Sequence, residues 1–437
     1  MATNISTVGE NDSTGTNDTA DATGVTLHDT TATFVTDKVQ VGETVTNTTS
    51  TDTGIITSIT DNTHAVMAAG LTGGGDNRWD SGDAYSLPRD YATIGAWELD
   101  TDNDLVSAGD IEVAELYDDG ADTYFKGSNI LAGATTDSSN YRIVRAASGE
   151  GHDGTYAGVG VRVWDQVSGT RILTVLEDFC QVGAGMFFEL TSGAGQSDEC
   201  VRFGDSSNDA EGGLVEKALM RNTDTSQDID AVYGGNHSVG TATNPITVRN
   251  CAMTGMTRCG VFAQQYANSA SSGDHYWNII NCSIIDCDEG ISYGARHSTT
   301  TVNLVIVNAI VGDSTTRDYG EGSTTSGTIV TTGSAENWDE QTQIPGAHTD
   351  SPMVLLETAG AGGSECLIVS KYGNLKLVDS VDNDVLLDGV GNGSNSLVPT
   401  DDFIGNDRGS VSTCDPGCHQ VSTPPSAGPR NRAMVVS

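Results

Sequence analysis

ITVRNCAMT at residues 246–254 recurs as NIINCSII at 278–285 and as VIVNAIV at 305–311. In each copy an apolar β run leads into an asparagine, and a small residue and a second apolar run follow. The three asparagines, Asn250, Asn281 and Asn308, are 31 and then 27 residues apart (281 − 250 and 308 − 281). This spacing is typical of one turn of a parallel β-helix with a loop of variable length.

The corner of each predicted turn has a mechanical interpretation. We expect the amides of Asn250, Asn281 and Asn308 to stack and to hydrogen-bond along the ladder, as stacked amides do in cross-β assemblies. The two cysteines and the alanine that follow them are small enough to point into a cramped corner. Gly260 and Gly290 are then expected to open the next bend.

Composition and charge exclude several classes of protein. The chain has 437 residues, with 60 Asp and Glu against 20 Lys and Arg, for a formal charge of −40. Nucleic-acid-binding proteins carry a basic footprint, and anionic membranes attract basic segments, so neither partner is expected. No stretch approaches the roughly 18 apolar residues of a membrane span, and the first residues lack the pattern of a secretory signal. A surface rich in acidic residues and poor in lysine suits saline water, which suggests a marine origin.

Patterning predicts an all-β chain in five parts. Residues 1–24 contain almost no large apolar side chains, so we expect an arm that is disordered or ordered only by a partner. Residues 25–88 alternate short β runs with turns and predict a small β-barrel or sandwich attachment module. Residues 89–139 hold the only helical pattern and are expected to begin the β-helix and cap its first turn. The parallel β-helix then covers residues 140–398, and 399–437 form a closing segment and flexible tail.

The second of these parts carries a recognisable motif. It reads Leu27-x-Asp29, Val45-x-Asn47-x-Thr49, Leu71-Thr72-Gly73-Gly74 and Gly82-Asp83-x-Tyr85. This string resembles a module common in phage and marine viral structural proteins, although Glu43 stands where that module usually has aspartate. The following Arg89-Asp90-Tyr91 and Trp97 are similar to the start of a right-handed parallel β-helix. The resemblance therefore implies that handedness and an N-terminal helical cap.

A second resemblance lies near the end of the chain. The segment is similar to the closing signature of many parallel β-helix repeat proteins of the pectate-lyase-like superfamily, P-x-x-D-x-x-G-x-x-R followed by D-x-G-A-x-E. The matching residues are Asp402, Gly405, Arg408, Asp415 and Gly417, whereas Cys418 and Gln420 depart from the pattern. In those proteins the segment folds back over the last turns. The resemblance thus implies a structural role for these five residues.

One acidic cluster offers candidate catalytic residues. Asp286, Asp288 and Glu289 lie near His275 and His297 in the sequence. Paired carboxylates hydrolyse glycosides when they are held roughly 5–9.5 Å apart. With 60 acidic residues in the chain, however, a solvated loop at the corner of a turn is the favoured interpretation.

Three segments of the sequence contain candidate metal ligands. Cys414, Cys418 and His419 lack the second ligand pair of a structural zinc site, so a disulfide or two free thiols is favoured there. The nine cysteines are mostly expected to be buried thiols. Acidic runs at 100–104 and 379–388 lack the EF-hand pattern. No cofactor is therefore expected, Ca²⁺ is the alternative left open, and the metal content stays unknown.

The two resemblances together imply a function. They indicate a structural virion protein of a bacteriophage (a tail fibre, tailspike or capsid-surface decoration) that supplies a rigid display or adhesion element. They imply a homotrimer whose partners are other virion proteins and a host surface glycan. Such a protein is assembled in the host cytoplasm and is extracellular in the mature particle. The alternative is a tailspike depolymerase, a polysaccharide lyase or glycoside hydrolase, and a bacterial surface adhesin is a third interpretation.

Overall fold

A computed structural model describes residues 2–9, 13–35, 39–118, 125, 128–152, 154, 160–165, 171–191, 198–205, 208–223, 228–235, 240–265, 274–295, 300–312, 314–321, 328–333 and 338–339. These residues fall into two compact units. The half-barrel unit holds the described residues of 5–101 and 114–125, and the solenoid unit holds those of 1–4, 102–113 and 126–339. The all-β class is confirmed, with a parallel β-helix of about five turns and an antiparallel half-barrel sheet.

The half-barrel unit is a curled antiparallel sheet. Its strands are β2 (Ser13–Thr16), β3 (Thr26–His28), β4 (Thr44–Asn47), β5 (Thr53–Asp61), β6 (His64–Met67) and β7 (Ala84–Leu87). They are ordered β2-β7-β4-β5-β6-β3. The residues that follow β2 contact the other edge strand, β3. There the Asp18 N–H donates to the His28 carbonyl at 2.7 Å. Apolar side chains that alternate along these strands, with Phe34 and Trp79 fully buried among them, form the core of the unit.

Two short helices adjoin the sheets. Helix α1 (Ile94–Asp100) belongs to the half-barrel unit and begins after Thr93, whose hydroxyl accepts from the Ala96 N–H at 3.1 Å. Helix α2 (Leu105–Ala108) belongs to the solenoid unit. Two strands, β1 (Ala2–Val8) and β8 (Asp110–Leu116), contribute residues to both units.

The N-terminal residues differ from the expectation of a disordered or partner-ordered arm. They form β1 and β2, and β2 pairs with β7 from Ser13 opposite Leu87 to Thr16 opposite Ala84. Polar composition does not prevent this order, because main-chain hydrogen bonds to a neighbouring strand need no apolar side chain. Asn17 adds to it, since its N–H donates to the Asp83 carbonyl at 2.8 Å.

The solenoid unit is built from three parallel sheets that the chain visits in turn. The first continues from β1 and β8 with β10 (Arg142–Ala146), β13 (Gln181–Val182), β16 (Leu214–Glu216), β19 (Ile246–Arg249), β22 (His275–Ile280), β25 (Thr301–Val307) and β28 (Thr328–Gly333). The second has β11 (Arg162–Asp165), β14 (Phe187–Leu190), β17 (Leu219–Asn222), β20 (Ala252–Thr254), β23 (Ser283–Ile285), β26 (Ile310–Gly312) and β29 (Trp338–Asp339). The third has β9 (Asn129–Leu131), β12 (Arg171–Val175), β15 (Asp198–Phe203), β18 (Ile229–Gly234), β21 (Cys259–Gln265), β24 (Glu289–Ala295) and β27 (Arg317–Glu321).

Columns of apolar side chains fill the solenoid. In the first sheet the column is Val144, Val182, Val215, Val248, Ile279 and Ile306. In the second it is Phe188, Met220, Met253, Ile284 and Val311. Every one of these side chains is at most 1% exposed. Burying each one stabilises the fold by about 1.5–3 kcal/mol, so the columns hold successive turns together.

The predicted asparagine corners lie between the first and second sheets. Asn250, Asn281 and Asn308 are fully buried, and the Asn281 amide donates to the Asn250 side-chain oxygen at 3.4 Å. All three have left-handed backbones, with φ of 52°, 51° and 53°. Asparagine tolerates that region better than most residues, which gives a backbone reason for its recurrence. Lys217 occupies the equivalent corner one turn earlier, with φ of 50°.

The glycines after the corners play a different role from the predicted one. Gly260 and Gly290 lie inside β21 and β24 rather than at a bend. A Cβ on Gly260 would lie 2.3 Å from Ile284 Cγ2, and one on Gly290 would lie 2.2 Å from Val311 Cγ1. Glycine is therefore needed because an apolar side chain of the next turn occupies the space of a Cβ.

Candidate functional site

The predicted acidic cluster covers the turn after β23 and the first residue of β24. The Asp288 carboxylate accepts from the Thr316 hydroxyl at 2.6 Å, and Glu289 forms an ion pair with Arg317. Asp286 has a left-handed backbone, with φ of 55°, and its N–H donates to the Gly312 carbonyl. All three residues thus contact the following turn of the solenoid. Each contact ties this corner to the next turn, and a catalytic role for the cluster stays a prediction.

The histidines that sequence reasoning grouped with this cluster are not placed beside it by the described residues. His275 lies in β22 of the first sheet, directly beside Val302 of the next turn, and is fully buried. Burial lowers the pKa of His275 to about 3, so the imidazole is neutral. Its two ring nitrogens have no hydrogen-bond partner among the described residues. His297 lies outside the described residues, as do Asp402, Gly405, Arg408, Asp415 and Gly417.

Ion pairs between successive turns run along the outside of the solenoid. Arg171 Nε lies 3.1 Å from Glu199 Oε2, Arg221 Nε lies 2.9 Å from Glu189 Oε1, and Arg249 Nε lies 2.8 Å from Glu216 Oε2. Arg258 and Arg317 pair in the same way with Asp230 and Glu289. In each pair the two residues belong to neighbouring turns. The pairs therefore tie several successive turns together.

On the third sheet, two aromatic rings pack against the guanidinium of Arg258. Tyr233 and Phe262 lie side by side in β18 and β21, with ring centroids 5.6 Å apart in an edge-to-face arrangement. The Arg258 guanidinium lies 4.9 Å from the Phe262 ring centroid and 5.5 Å from that of Tyr233. Asp230, its ionic partner, is fully buried. Removing only one member of such a buried ion pair strongly destabilises a protein, because the other charge stays buried without it.

Two further acidic residues, Asp178 and Glu211, lie one turn apart at the corner between the third and first sheets. The Glu211 N–H donates to Asp178 Oδ1 at 2.9 Å. Burial raises the pKa of Asp178, and the neighbouring charges of Glu211 and Asp209 raise it further. Phe179, in the left-handed region at φ of 59°, places its ring over Gly212, where a Cβ would approach the ring to 2.5 Å. Two acidic residues on successive turns thus lie beside a partly exposed aromatic ring, and the contact between them is the main-chain hydrogen bond from Glu211 to the Asp178 carboxylate.

Sequence reasoning missed the Asp178–Glu211 pair. The two residues are 33 positions apart (211 − 178), which is one turn of the solenoid. The sequence shows that relation only where a corner asparagine marks the repeat, and Lys217 stands in place of that asparagine in the turn that contains Glu211. The signal that could have found the pair is the recurrence of an acidic residue before Phe179 and before Gly212.

Residues of the motif, and of the turns beside it, form hydrogen bonds within the half-barrel unit. Asn47 donates to Asp83 Oδ2 at 2.8 Å, and its own oxygen accepts from the Thr49 N–H at 3.0 Å. Asp52 accepts from the N–H groups of Gly75 at 2.7 Å and Asn77 at 2.8 Å. Desolvation would raise the pKa of Asp52, but these hydrogen bonds outweigh it and lower that pKa. These hydrogen bonds therefore fix the turns of the half-barrel unit.

A small cavity of about 280 Å³ opens in the same unit, lined by Thr19, Asp21, Thr26, His28 and His64. The two imidazoles are stacked, with centroids 4.2 Å apart and planes 21° from parallel. His64 Nδ1 lies 2.9 Å from Asp61 Oδ1, and His28 Nδ1 lies 2.9 Å from the Thr19 hydroxyl. The hydrogen bond from His64, followed by those from Thr63, lowers the pKa of Asp61 to about 2.

Other candidate sites are more limited. Six cysteines of the described residues are buried free thiols: Cys180, Cys200, Cys251, Cys259, Cys282 and Cys287. Cys414, Cys418 and His419 lie outside the described residues, as does the acidic run at 379–388. In the run at 100–104, Asp104 caps α2 by accepting from the Ser107 N–H at 2.9 Å. No group of three or more His, Cys, Asp or Glu side chains in the described part is arranged to hold a metal.

Within the same described residues, neither helix has the length and apolar character that crossing a bilayer requires. Comparison of the chain with protein-family models, with curated proteins and with solved structures finds no match in any of the three.

Proposed function

We propose that the protein is a structural component of a bacteriophage particle, a tail fibre, tailspike or capsid-surface decoration. In this role the solenoid unit is a rigid display or adhesion element, and the half-barrel unit attaches it to other virion proteins. The protein is assembled in the host cytoplasm and is extracellular in the mature particle. It acts as a homotrimer whose loops contact a host surface glycan.

The observation that carries this proposal is the series of ion pairs between solenoid turns. Each links an arginine to a carboxylate of the neighbouring turn, and several of the carboxylates (Glu189, Glu199, Asp230) are at most 4% exposed. Together with the apolar columns, they resist separation of the turns. A rigid solenoid that displays variable loops suits a mechanical or adhesive role. The virion assignment itself rests on the resemblance of the half-barrel motif to phage modules.

The test is the location of the protein in an infected culture of the source organism. Antibodies raised against the purified chain should label intact particles in immunogold electron microscopy, and peptides of the chain should co-purify with particles through a density gradient. Light scattering coupled to size-exclusion chromatography should give three times the mass of 45.4 kDa. Labelling of cells but not of particles would overturn the virion assignment. A monomeric mass would overturn the trimer alone.

A second candidate function, polysaccharide cleavage, is favoured by the Asp178–Glu211 pair. An acid with a raised pKa beside a second carboxylate is the arrangement that glycoside hydrolases use. The purified chain, incubated with host polysaccharide, should then release new reducing ends, and Glu211→Gln should abolish their release. Asp288→Asn is the matched control, because the Asp288 carboxylate accepts from the Thr316 hydroxyl of the following turn. No release by the wild-type protein, or equal loss in both variants, would eliminate this candidate.

A further inference from the structure

We propose that copies of this chain associate through the outer face of the first solenoid sheet. The inference rests on the proposed function, which includes a homotrimer, and it names the surface that the trimer uses. The face belongs to seven strands of the solenoid unit: β10, β13, β16, β19, β22, β25 and β28. Its partner is a second copy of the chain, which presents the same face.

The alternation of side chains along β22 shows which residues point outward. Trp277 and Ile279 are at most 1% exposed, whereas Tyr276 and Asn278 are half-buried. Successive side chains of a strand point to opposite faces, so Tyr276 and Asn278 lie on the outer face. Asn278 belongs to a column of seven residues in register: Ile143, Gln181, Leu214, Thr247, Asn278, Val305 and Thr332. A second column in register consists of Tyr276, Asn303 and Val330.

These two columns contain no charged residue, and they are accessible. Charged residues make up 18% of the whole chain, and the surfaces of soluble proteins generally carry about 25–35%. The side chains of both columns are half-buried or exposed, and Val330 is 46% exposed. Interface cores are likewise depleted in charge and rich in apolar side chains. The composition of both columns therefore fits a contact between proteins.

Charged side chains border the two columns, and their charges balance. Arg145, Glu216 and Arg249 lie toward the second sheet, where Arg249 Nε is 2.8 Å from Glu216 Oε2. At the opposite border Asp274 precedes β22, and its carboxylate accepts from the Thr301 N–H of the next turn at 2.8 Å. The formal charges of these two arginines and two acids sum to zero. The face is therefore neutral within a chain of formal charge −40.

This neutrality favours a second copy as the partner. Two copies repel each other wherever their acidic surfaces approach, because each carries a formal charge of −40. The repulsion is smallest where both copies present a neutral face. The longer column runs along the solenoid, and six strand spacings of about 4.8 Å give it a length of about 29 Å. Three copies that lie side by side can therefore turn this face of each toward the other two.

The test measures the mass of the full-length protein in solution by light scattering coupled to size-exclusion chromatography. The wild type should give three times 45.4 kDa. The double variant Thr247→Glu with Val305→Glu places two acidic side chains of each copy in the contact, and its mass should fall threefold. Thr247→Gln with Val305→Gln adds similar bulk without charge and should keep the wild-type mass. Thr243→Glu adds a charge at an exposed position of the same turn, outside the columns, and should also keep it.

Cross-linking gives a second measurement that does not depend on added charge. Asn278→Cys, oxidised in air with copper phenanthroline, should form disulfide-linked dimers of the chain. Thr243→Cys and the wild type, which has the same nine native cysteines, are the background controls. Cross-linking of Asn278→Cys that does not exceed theirs would overturn the proposal.

The mass measurement separates failure of this face from failure of the trimer. If the double variant with two glutamates is folded by circular dichroism and keeps the wild-type mass, the face is wrong and the trimer stands. Loss of binding to host polysaccharide at unchanged mass would assign the face to a glycan and overturn the proposal. A monomeric wild type would overturn both the face and the trimer. A dimeric wild type that the glutamate variant dissociates would support the face and overturn the trimer alone.

Discussion

Glu43 and Arg89 form a buried ion pair in the half-barrel unit, with side chains only 5% and 3% exposed. The Arg89 guanidinium also lies 3.9 Å from the centroid of the Tyr117 ring. Glu43 is the position at which the resembled phage module usually has aspartate, and Arg89 opens the segment that resembles the start of a β-helix. The structure therefore joins two motifs that are separate in the sequence. The longer glutamate side chain reaches an arginine that follows β7.

Breaking this pair from one side should destabilise the half-barrel unit strongly. Arg89→Met removes the arginine that pairs with the buried Glu43 carboxylate, and we expect a loss of about 3–5 kcal/mol. The double variant Glu43→Leu with Arg89→Met removes both charges and should recover most of that loss. Hydrogen exchange in peptides from β4 and β7 reports on this unit separately from the solenoid. A double variant as unstable as Arg89→Met would contradict the desolvation argument.

The asparagine corners predict a separation of backbone and side-chain effects. Asn281→Gly keeps the left-handed backbone and loses the amide, whereas Asn281→Ala loses both advantages. We expect Asn281→Ala to be less stable than Asn281→Gly by about 1–2 kcal/mol, the cost of the left-handed region for a residue with a Cβ. Urea unfolding of both variants measures the difference. Equal stabilities would show that the side-chain ladder alone selects asparagine.

The corner one turn earlier gives the converse experiment. Lys217 has the same left-handed backbone, with φ of 50°. Lys217→Asn should raise the unfolding midpoint of the solenoid, because asparagine tolerates this conformation better. The matched control is Lys217→Gln, which removes the same charge without that tolerance and should gain less. If both variants shift the midpoint equally, the gain comes from charge rather than from the backbone.

The sequence repeat predicted where the solenoid corners lie. It indicated only one of the two reasons for asparagine there, the amide ladder. Asn250, Asn281 and Asn308 recur at one-turn spacing, and that spacing is visible because each is followed by a small residue. Their left-handed backbones are not visible, since the same letters also fit an extended amide ladder. Lys217 hides the corner before them, and the Asp178–Glu211 pair was missed for the same reason.

Two further features could not be predicted from the sequence: the ion pairs between turns and the order of strand β2. Arg221 and Glu189 are 32 positions apart (221 − 189), and Arg317 and Glu289 are 28 apart (317 − 289). Loops of different length separate such partners, so no fixed spacing identifies them before the strands are aligned. The order of β2 also escaped prediction, because composition reports on side chains and this strand is held by main-chain hydrogen bonds.

Gly260 should not tolerate a methyl group. A Cβ there would lie 2.3 Å from Ile284 Cγ2 and 2.8 Å from the Gly290 carbonyl oxygen. We expect Gly260→Ala to cost about 1–3 kcal/mol through overpacking, measured by urea unfolding. The control is Gly95→Ala in α1, where a Cβ meets nothing within 4 Å and a gain of about 0.5–1 kcal/mol is expected. Combining Gly260→Ala with Ile284→Ala should recover part of the loss. A recovery of zero would place the obstruction at the Gly290 backbone.

The Asp178 carboxyl predicts a dependence of solenoid stability on pH with a definite sign. Its pKa is raised in the folded protein by burial and then by the charges of Glu211 and Asp209, so the native state holds the proton more tightly than the unfolded chain. That contribution is complete below the unfolded value of about 3.9 and is lost as pH rises through the folded pKa. Asp178→Asn is neutral throughout and still accepts the Glu211 N–H. Its free energy of unfolding should therefore exceed that of the wild type increasingly between pH 4 and 7.

The matched control has the opposite sign. Hydrogen bonds from the Ser107 hydroxyl and N–H lower the pKa of Asp104. Its contribution is therefore present above the unfolded pKa and is lost as pH falls through the folded pKa. Urea unfolding across this range should show Asp104→Asn less stable than the wild type near pH 7, with the gap closing on acidification. If Asp178→Asn follows that same trend, the hydrogen bond from the Glu211 N–H lowers the pKa of Asp178 by more than burial and the neighbouring charges raise it.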